Sequence, residues 1–145
     1  MIRRETDYAV RTVLCLARSH VENGSAWIST EDLAAQTEVP YRFLRKIVLK
    51  LVKSGIIESR RGKNGGLILG RAPQNISLLD LLQVVEPESV ILNQCMEPAR
   101  TPCSRKDDCG LHHALGKIQI SLQRELADIS LIDMARGHTA TQVVS

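Results

Sequence analysis

The stretch from Pro40 to Gly55 constrains the fold more than any other part of the chain. Leu44, Ile47, Val48 and Leu51 recur at helical spacing and form one buried stripe, while Arg42, Arg45, Lys46, Lys50 and Lys53 fall outside it. Pro40 suits the first helical position, where its missing N–H costs nothing, and Ser54-Gly55 supplies a C-cap. Ile56-Ile57 and Leu67-Ile68-Leu69 then flank polar Glu58 to Lys63 and the turn signal Asn64-Gly65-Gly66, which predicts a β-hairpin. A basic amphipathic helix that runs straight into a hairpin admits few architectures.

The upstream segments narrow them further. Val10, Val13, Leu14 and Ala17 predict a first helix from about Glu5 to Ser19, broken by polar His20 to Ser25. Ser29 or Thr30 can cap a short second helix, with Asp32 in its first turn, Leu33 and Ala34 inward, and an end near Thr37. Two helices with a short connection, the second basic, read as a helix-turn-helix, and the hairpin after them is its wing. Ser77 caps a fourth helix to about Val85, with Leu78, Leu81, Leu82 and Val85 inward, and Glu86-Pro87 ends it.

The expected fold is therefore mainly α with a small β-hairpin: a winged helix-turn-helix over 1–86 and a cysteine-rich loop over 87–110. A long C-terminal helix follows over 111–136, and 137–145 forms a flexible tail. Leu115, Ile118, Leu122 and Ile129 lie on one seam of that last helix, which reads as a dimerisation helix; packing on the first helix is compatible with it. Only 3% of residues are aromatic, so the core must be aliphatic. No apolar run approaches the roughly 20 residues that span a membrane. The start, with Arg3, Arg4, Glu5 and Asp7, is unlike a signal peptide, so a cytoplasmic protein with no membrane partner is expected.

Charge is segregated. Between Val39 and Arg71 nine basic residues face one acid, Glu58, a net of +8 in a chain whose total is +3, so the remainder carries −5. That is the footprint of a polyanion-binding face, here double-stranded DNA. Tyr41, Arg42 and Arg45, at the exposed start of the third helix, are candidates for base edges, arginine being the best reader of guanine. Arg60, Arg61 and Lys63 at the wing tip suit the backbone or minor groove, and Lys46 and Asn64 complete the candidate set.

Cys95, Cys103 and Cys109 fall in the aperiodic loop as C-x7-C-x5-C, followed by His112 and His113; Cys15, in the first helix, reads as a small buried hydrophobe. Three thiols make poor disulfide arithmetic, and clustered thiolates on a loop are a soft-metal site. Zinc wants four ligands, which Cys95, Cys103, Cys109 and His113 would supply. An iron–sulfur cluster also takes thiolates and accepts a non-cysteine fourth ligand. The same spacing fits a finger for single-stranded RNA, but such fingers stack bases on aromatic side chains, and none follows Phe43. No phosphate-binding glycine loop and no convincing Ser/His/Asp set is present, so an enzyme is not expected.

The chain resembles the bacterial iron–sulfur winged-helix transcriptional regulators of the IscR and NsrR type. The matching pieces are Thr6-Asp7-Tyr8-Ala9-Val10-Arg11, the wing Arg61-Gly62-Lys63-Asn64-Gly65-Gly66, the three-cysteine loop, and the helix from about Leu111. The hexapeptide and the wing look closest to the nitric-oxide-sensing NsrR branch. The resemblance implies a homodimer on a palindromic operator, with repression controlled by a cluster that senses nitric oxide, redox or iron–sulfur status. Three cysteines per subunit would hold a two-iron or four-iron cluster. The fourth ligand would be Asp7 of the partner subunit, as in the NsrR branch, or His112, as in the IscR branch. Seven residues separate the first two cysteines where those branches commonly have five, which leaves cluster type and branch open. A zinc-stabilised DNA-binding protein without a sensing cluster is the alternative.

Overall fold

The structure is a computed structural model that describes residues 3–137; most of the expected flexible tail, 138–145, lies outside the described residues. Helix α1 (Arg4–Asn23) passes through the expected break and stops at Gly24, whose φ of 69° ends the helical path. Its buried face is Thr6, Ala9, Thr12, Val13, Leu16 and Ala17, which leaves Val10 and Leu14 half-buried at the edge of the expected stripe. Two threonines explain the rotation. Thr12 donates to the Tyr8 carbonyl at 2.7 Å and Thr6 to Glu86 at 2.5 Å, so both enter the core with their hydroxyls satisfied.

Helix α2 (Thr30–Thr37) is capped by Ser29, which accepts from the Asp32 N–H at 3.0 Å. A turn through Glu38 and buried Val39 leads into α3 (Tyr41–Lys53), with Pro40 as its N-cap, one place before its expected position. Leu44, Ile47, Val48 and Leu51 are the buried stripe, as the periodicity requires. Strands β1 (Ile57–Arg60) and β2 (Gly66–Leu69) pair antiparallel, with Ile57 opposite Leu69 and Arg60 opposite Gly66. Ile28 extends this ladder by exchanging two backbone hydrogen bonds with Leu67, at 3.0 and 2.7 Å. The approach is close enough that a Cβ on Gly66 would lie 2.4 Å from the Ile28 carbonyl oxygen, so only glycine fits.

Helix α4 (Leu78–Val85) opens with a reciprocal capping box between Ser77 and Asp80. Leu81, Leu82 and Val85 are buried, while Leu78 is half-buried. Short 3₁₀ turns at Pro87–Val90 and Gln94–Met96 lead into the cysteine loop.

The single helix expected over 111–136 is two: α5 (Gly110–Asp128) and α6 (Leu131–Ala135). The Ile129 carbonyl accepts from Leu78 N–H at 2.8 Å, and Leu131 N–H donates to the Ile76 carbonyl at 2.7 Å. These bonds pull Ile129-Ser130 out of the helix, Ser130 caps α6, and the expected seam ends before Ile129. Fully buried Leu131 then carries α6 into the core against α1. The core is aliphatic, as expected, built on α1 and closed by α2, α3, α4, β2 and α6. Helix α5 rests on α4 and the Pro87–Val90 turn, with Leu111, Ile118 and Ile120 each more than half exposed. Among the described residues no helix is long and apolar enough to cross a membrane.

Candidate nucleic-acid interface and metal centre

Because the stripe at 44, 47, 48 and 51 is turned inward, helix geometry sends Tyr41, Arg42, Arg45, Lys46 and Leu49 to the opposite face of α3, and all five are exposed. Tyr41, Arg45 and Leu49 also line one wall of a groove of about 450 Å³, whose other walls are Thr30 of α2 and Arg61 and Lys63 of the wing. The Tyr41 hydroxyl donates to Glu31 at 3.5 Å across the groove mouth. The ion pairs among the described residues draw on Arg3, Arg11 and Lys50, and none draws on Arg42, Arg45, Lys46, Arg61 or Lys63. A groove between a helix and a hairpin, walled by uncompensated cations, can hold a nucleic-acid strand by its phosphates while α3 reaches the base edges.

Two basic residues of the +8 segment have internal duties. Lys50 pairs with Glu5 at 2.6 Å and donates to the Val85 carbonyl at 3.2 Å, tying α3 to α1 and α4. The Arg60 guanidinium lies 4.3 Å from the centre of the Trp27 ring and donates to the Asn64 carbonyl at 2.5 Å. Arg60 thus braces the wing while staying exposed and lining the groove with Arg61 and Lys63, and the Asn64 side chain is exposed beside it. Trp27 escaped the sequence reading because it sits in an aperiodic stretch about thirty residues before the hairpin, and only the fold brings the two together.

In the cysteine loop, Cys95 lies in the Gln94–Met96 turn and Cys109 is the N-cap of α5. The Cys109 sulfur accepts the His112 backbone N–H at 3.4 Å, and His112 Nδ1 lies 3.3 Å from the Cys95 sulfur. Cys95, Cys109 and His112 are therefore gathered at the first turn of α5. Cys103 is exposed and apart from them, and His113 turns away, its Nε2 2.9 Å from the Asp107 carbonyl. Among the described residues no three His, Cys, Asp or Glu side chains are arranged to hold a metal ion. Two thiols and an imidazole remain soft-metal donors, and Cys103 on the adjoining loop would complete a three-thiolate set by rearrangement. Asp7 is half exposed on α1 and paired with Arg11 at 2.7 Å.

Cys15 packs against the core, as expected, but is only partly buried. It is half-buried in a cleft of about 710 Å³ between α1 and α2, and donates to Gln36 at 3.3 Å. Burial pushes its thiol up against the opposing pull of Arg18.

The stem of the loop is clamped at two places. The Gln119 side chain, the buried position of α5, accepts from Leu92 N–H at 2.8 Å and donates to the Val90 carbonyl. Glu86, 4% exposed, accepts from the Thr6 hydroxyl and from Arg3 N–H, and pairs with the Arg3 guanidinium at 2.8 Å. Burial pushes this carboxyl up, but the Thr6 hydroxyl and the Arg3 N–H and guanidinium outweigh it and hold the group below the usual range.

The family model of Rrf2, described as iron-dependent transcriptional regulator, matches residues 2–137. Protein aau3 of Rhizobium meliloti is 31% identical over 136 residues, covering 94% of this chain and 85% of that protein. The HTH-type transcriptional regulator NsrR of Bacillus licheniformis is 30% identical over 112 residues, 77% of this chain and 76% of the relative. The fold is similar to that of CymR (YrzC), the global cysteine regulator of B. subtilis. The TM-score is 0.71 at 23% identity, over 96% of this chain and 98% of that one. With a family match running through both the basic helix and the cysteine loop, this chain belongs to the Rrf2 family and is a DNA-binding transcriptional regulator rather than an enzyme.

Proposed function

We propose that the protein is a homodimeric repressor whose hold on a palindromic operator is set by an iron–sulfur cluster on Cys95, Cys103 and Cys109. Nitric oxide or an oxidant is the signal. The carrying observation is the position of Cys109. It caps α5, beside Cys95 and His112, and the same helix presents exposed Leu111 and Ile118 alternating with half-buried Leu115 and Leu122. A change of ligand at these sulfurs therefore acts on the first turn of the helix best suited to join two subunits. On this reading 1–86 reads DNA, 87–110 senses and 111–136 dimerises, with Leu131 anchoring the last part in the core.

Bound there, an iron–sulfur cluster supplies a redox-active, nitric-oxide-reactive centre. The nearness of His112 to Cys95 supports it as the fourth ligand, with Asp7 of the partner subunit as the rival; in this chain Asp7 would first have to leave Arg11. Gln119 and Glu86 hold the two ends of the 86–92 stem, so that rearrangement is confined to the loop beyond it. Arg42 and Arg45 read guanine edges, and Arg61 and Lys63 hold phosphates.

Anaerobic purification with metal analysis, visible and Mössbauer spectra tests the reading. Iron-containing, coloured protein whose operator affinity changes at least tenfold with nitric oxide is expected, and Cys103→Ser should abolish both properties. Colourless zinc protein, or a Cys103→Ser variant that responds like the parent, would overturn it.

A further inference from the structure

We propose that Leu49 is a specificity-determining residue that reads the 5-methyl group of a thymine in the major groove. The inference rests on the DNA-binding face described above and names one base contact within it. Leu49 is 72% exposed, more than any other large apolar side chain described, although its neighbours Ile47, Val48 and Leu51 are between 0% and 9% exposed. The other exposed apolar groups of α3, in its first turn, have company: Phe43 packs against Tyr8 with ring centres 6.0 Å apart, and the Tyr41 hydroxyl reaches Glu31. Leu49 instead sits beside Tyr41 among the stems of three cationic side chains. It shares one shallow surface with Arg42, Arg45 and Lys46, and also borders the wing groove.

An apolar side chain set among cations is poorly placed for every partner but one. A second protein surface that covered Leu49 would have to bury Arg42, Arg45 and Lys46 with it, at a desolvation cost that demands matching acids. Water alone leaves the leucine exposed to no benefit. A DNA duplex supplies phosphates for the cations and, on the major-groove edge of thymine, an apolar methyl group for the leucine. Tyr41, Arg45 and Leu49 stand four residues apart along one row of α3. From Tyr41 to Leu49 the row is about 12 Å long, or about three base-pair steps. Arginine at the middle of the row suits guanine, and leucine at its end suits thymine, so the row carries separable pieces of sequence information.

The test uses the full chain, prepared with its metal and without it, and a library of random-sequence DNA duplexes. After selection, each thymine of the bound duplex is replaced singly by deoxyuridine, which preserves pairing and removes only the methyl. At one thymine per half-site the parent should lose about three- to fivefold in affinity, the worth of one buried methylene. Leu49→Ala should bind the thymine and uracil duplexes equally, with an unchanged salt slope; Leu49→Met, which restores apolar reach, should recover part of the difference. Circular dichroism should match the parent, since the side chain is exposed. A parent indifferent to uracil at every thymine, or a Leu49→Ala variant that keeps the parent's discrimination, overturns the inference while DNA binding itself stands. Failure to bind any duplex overturns both.

Discussion

Burying a carboxylate is costly unless its charge is matched, and Glu86 is matched by the Thr6 hydroxyl, the Arg3 N–H and the Arg3 guanidinium. The folded group lies below the ordinary glutamate value, which is about 4.3. Its stabilising contribution is therefore complete above that unfolded value and is withdrawn as pH falls through the lower folded one. Glu86→Gln should cost about 1–3 kcal/mol at neutral pH and flatten the acid limb of a plot of denaturant midpoint against pH, starting as pH falls below the ordinary glutamate value of about 4.3. Parallel acid limbs for parent and variant would assign the titration elsewhere. On the proposed DNA face the residues should divide by role. Lys63→Ala should weaken binding to all sequences and lower the salt slope by about one. Arg42→Ala should relax discrimination at one base pair by about 1–3 kcal/mol. Equal loss of affinity and discrimination in both variants would abolish that division.

The wing shows how an element depends on partners distant in sequence. Its β-hairpin holds together locally, but its orientation comes from Ile28 pairing with Leu67 and from Arg60 stacking on Trp27. Removing either side of an exposed cation–π pair forfeits about 0.5–1 kcal/mol. Trp27→Ala and Arg60→Ala should therefore each lower DNA affinity a few-fold without changing the preferred sequence, and the double variant should be no worse than either single one. Strictly additive losses would show that the stack does not orient the wing. The parts of the fold legible in the sequence are those fixed within a few residues: the stripe of α3, the Ser29 and Ser77 caps, the glycine turn of the hairpin. What escaped depends on distance. Thr6 and Thr12 join the core because hydrogen bonds satisfy them, and hydropathy alone cannot show that. The break at Ser130 is imposed by backbone pairing with Ile76–Leu78, some fifty residues away along the chain. The site follows the same rule: cations on α3 could be counted, but the withdrawal of Lys50 towards Glu5 needed the packing of α1 against α3.

At the scale of the whole molecule, α4 packs against both α3, which carries the basic face, and α5, whose first turn the cysteine loop enters. The connection from the basic module to the loop is short: Val85 carries the carbonyl that Lys50 grips, and Glu86 follows immediately with its hold on α1. A second subunit joined through α5 would place two such heads at a fixed separation, and operator reading then depends on that separation. Exposed Ile118, with half-buried Leu115 and Leu122, makes this surface apolar enough to be tested by one charge. Ile118→Arg should shift the protein to monomer in sedimentation equilibrium while leaving its circular dichroism unchanged, because the side chain does not belong to the core of the single chain. Operator affinity should fall about a hundredfold or more, since the second half-site is no longer delivered at high effective concentration. Binding to a single half-site should be untouched, because α3 and the wing are intact. A variant that stays dimeric with full operator affinity would move the subunit interface away from α5, and with it the path by which the state of Cys109 could reach the DNA-binding heads.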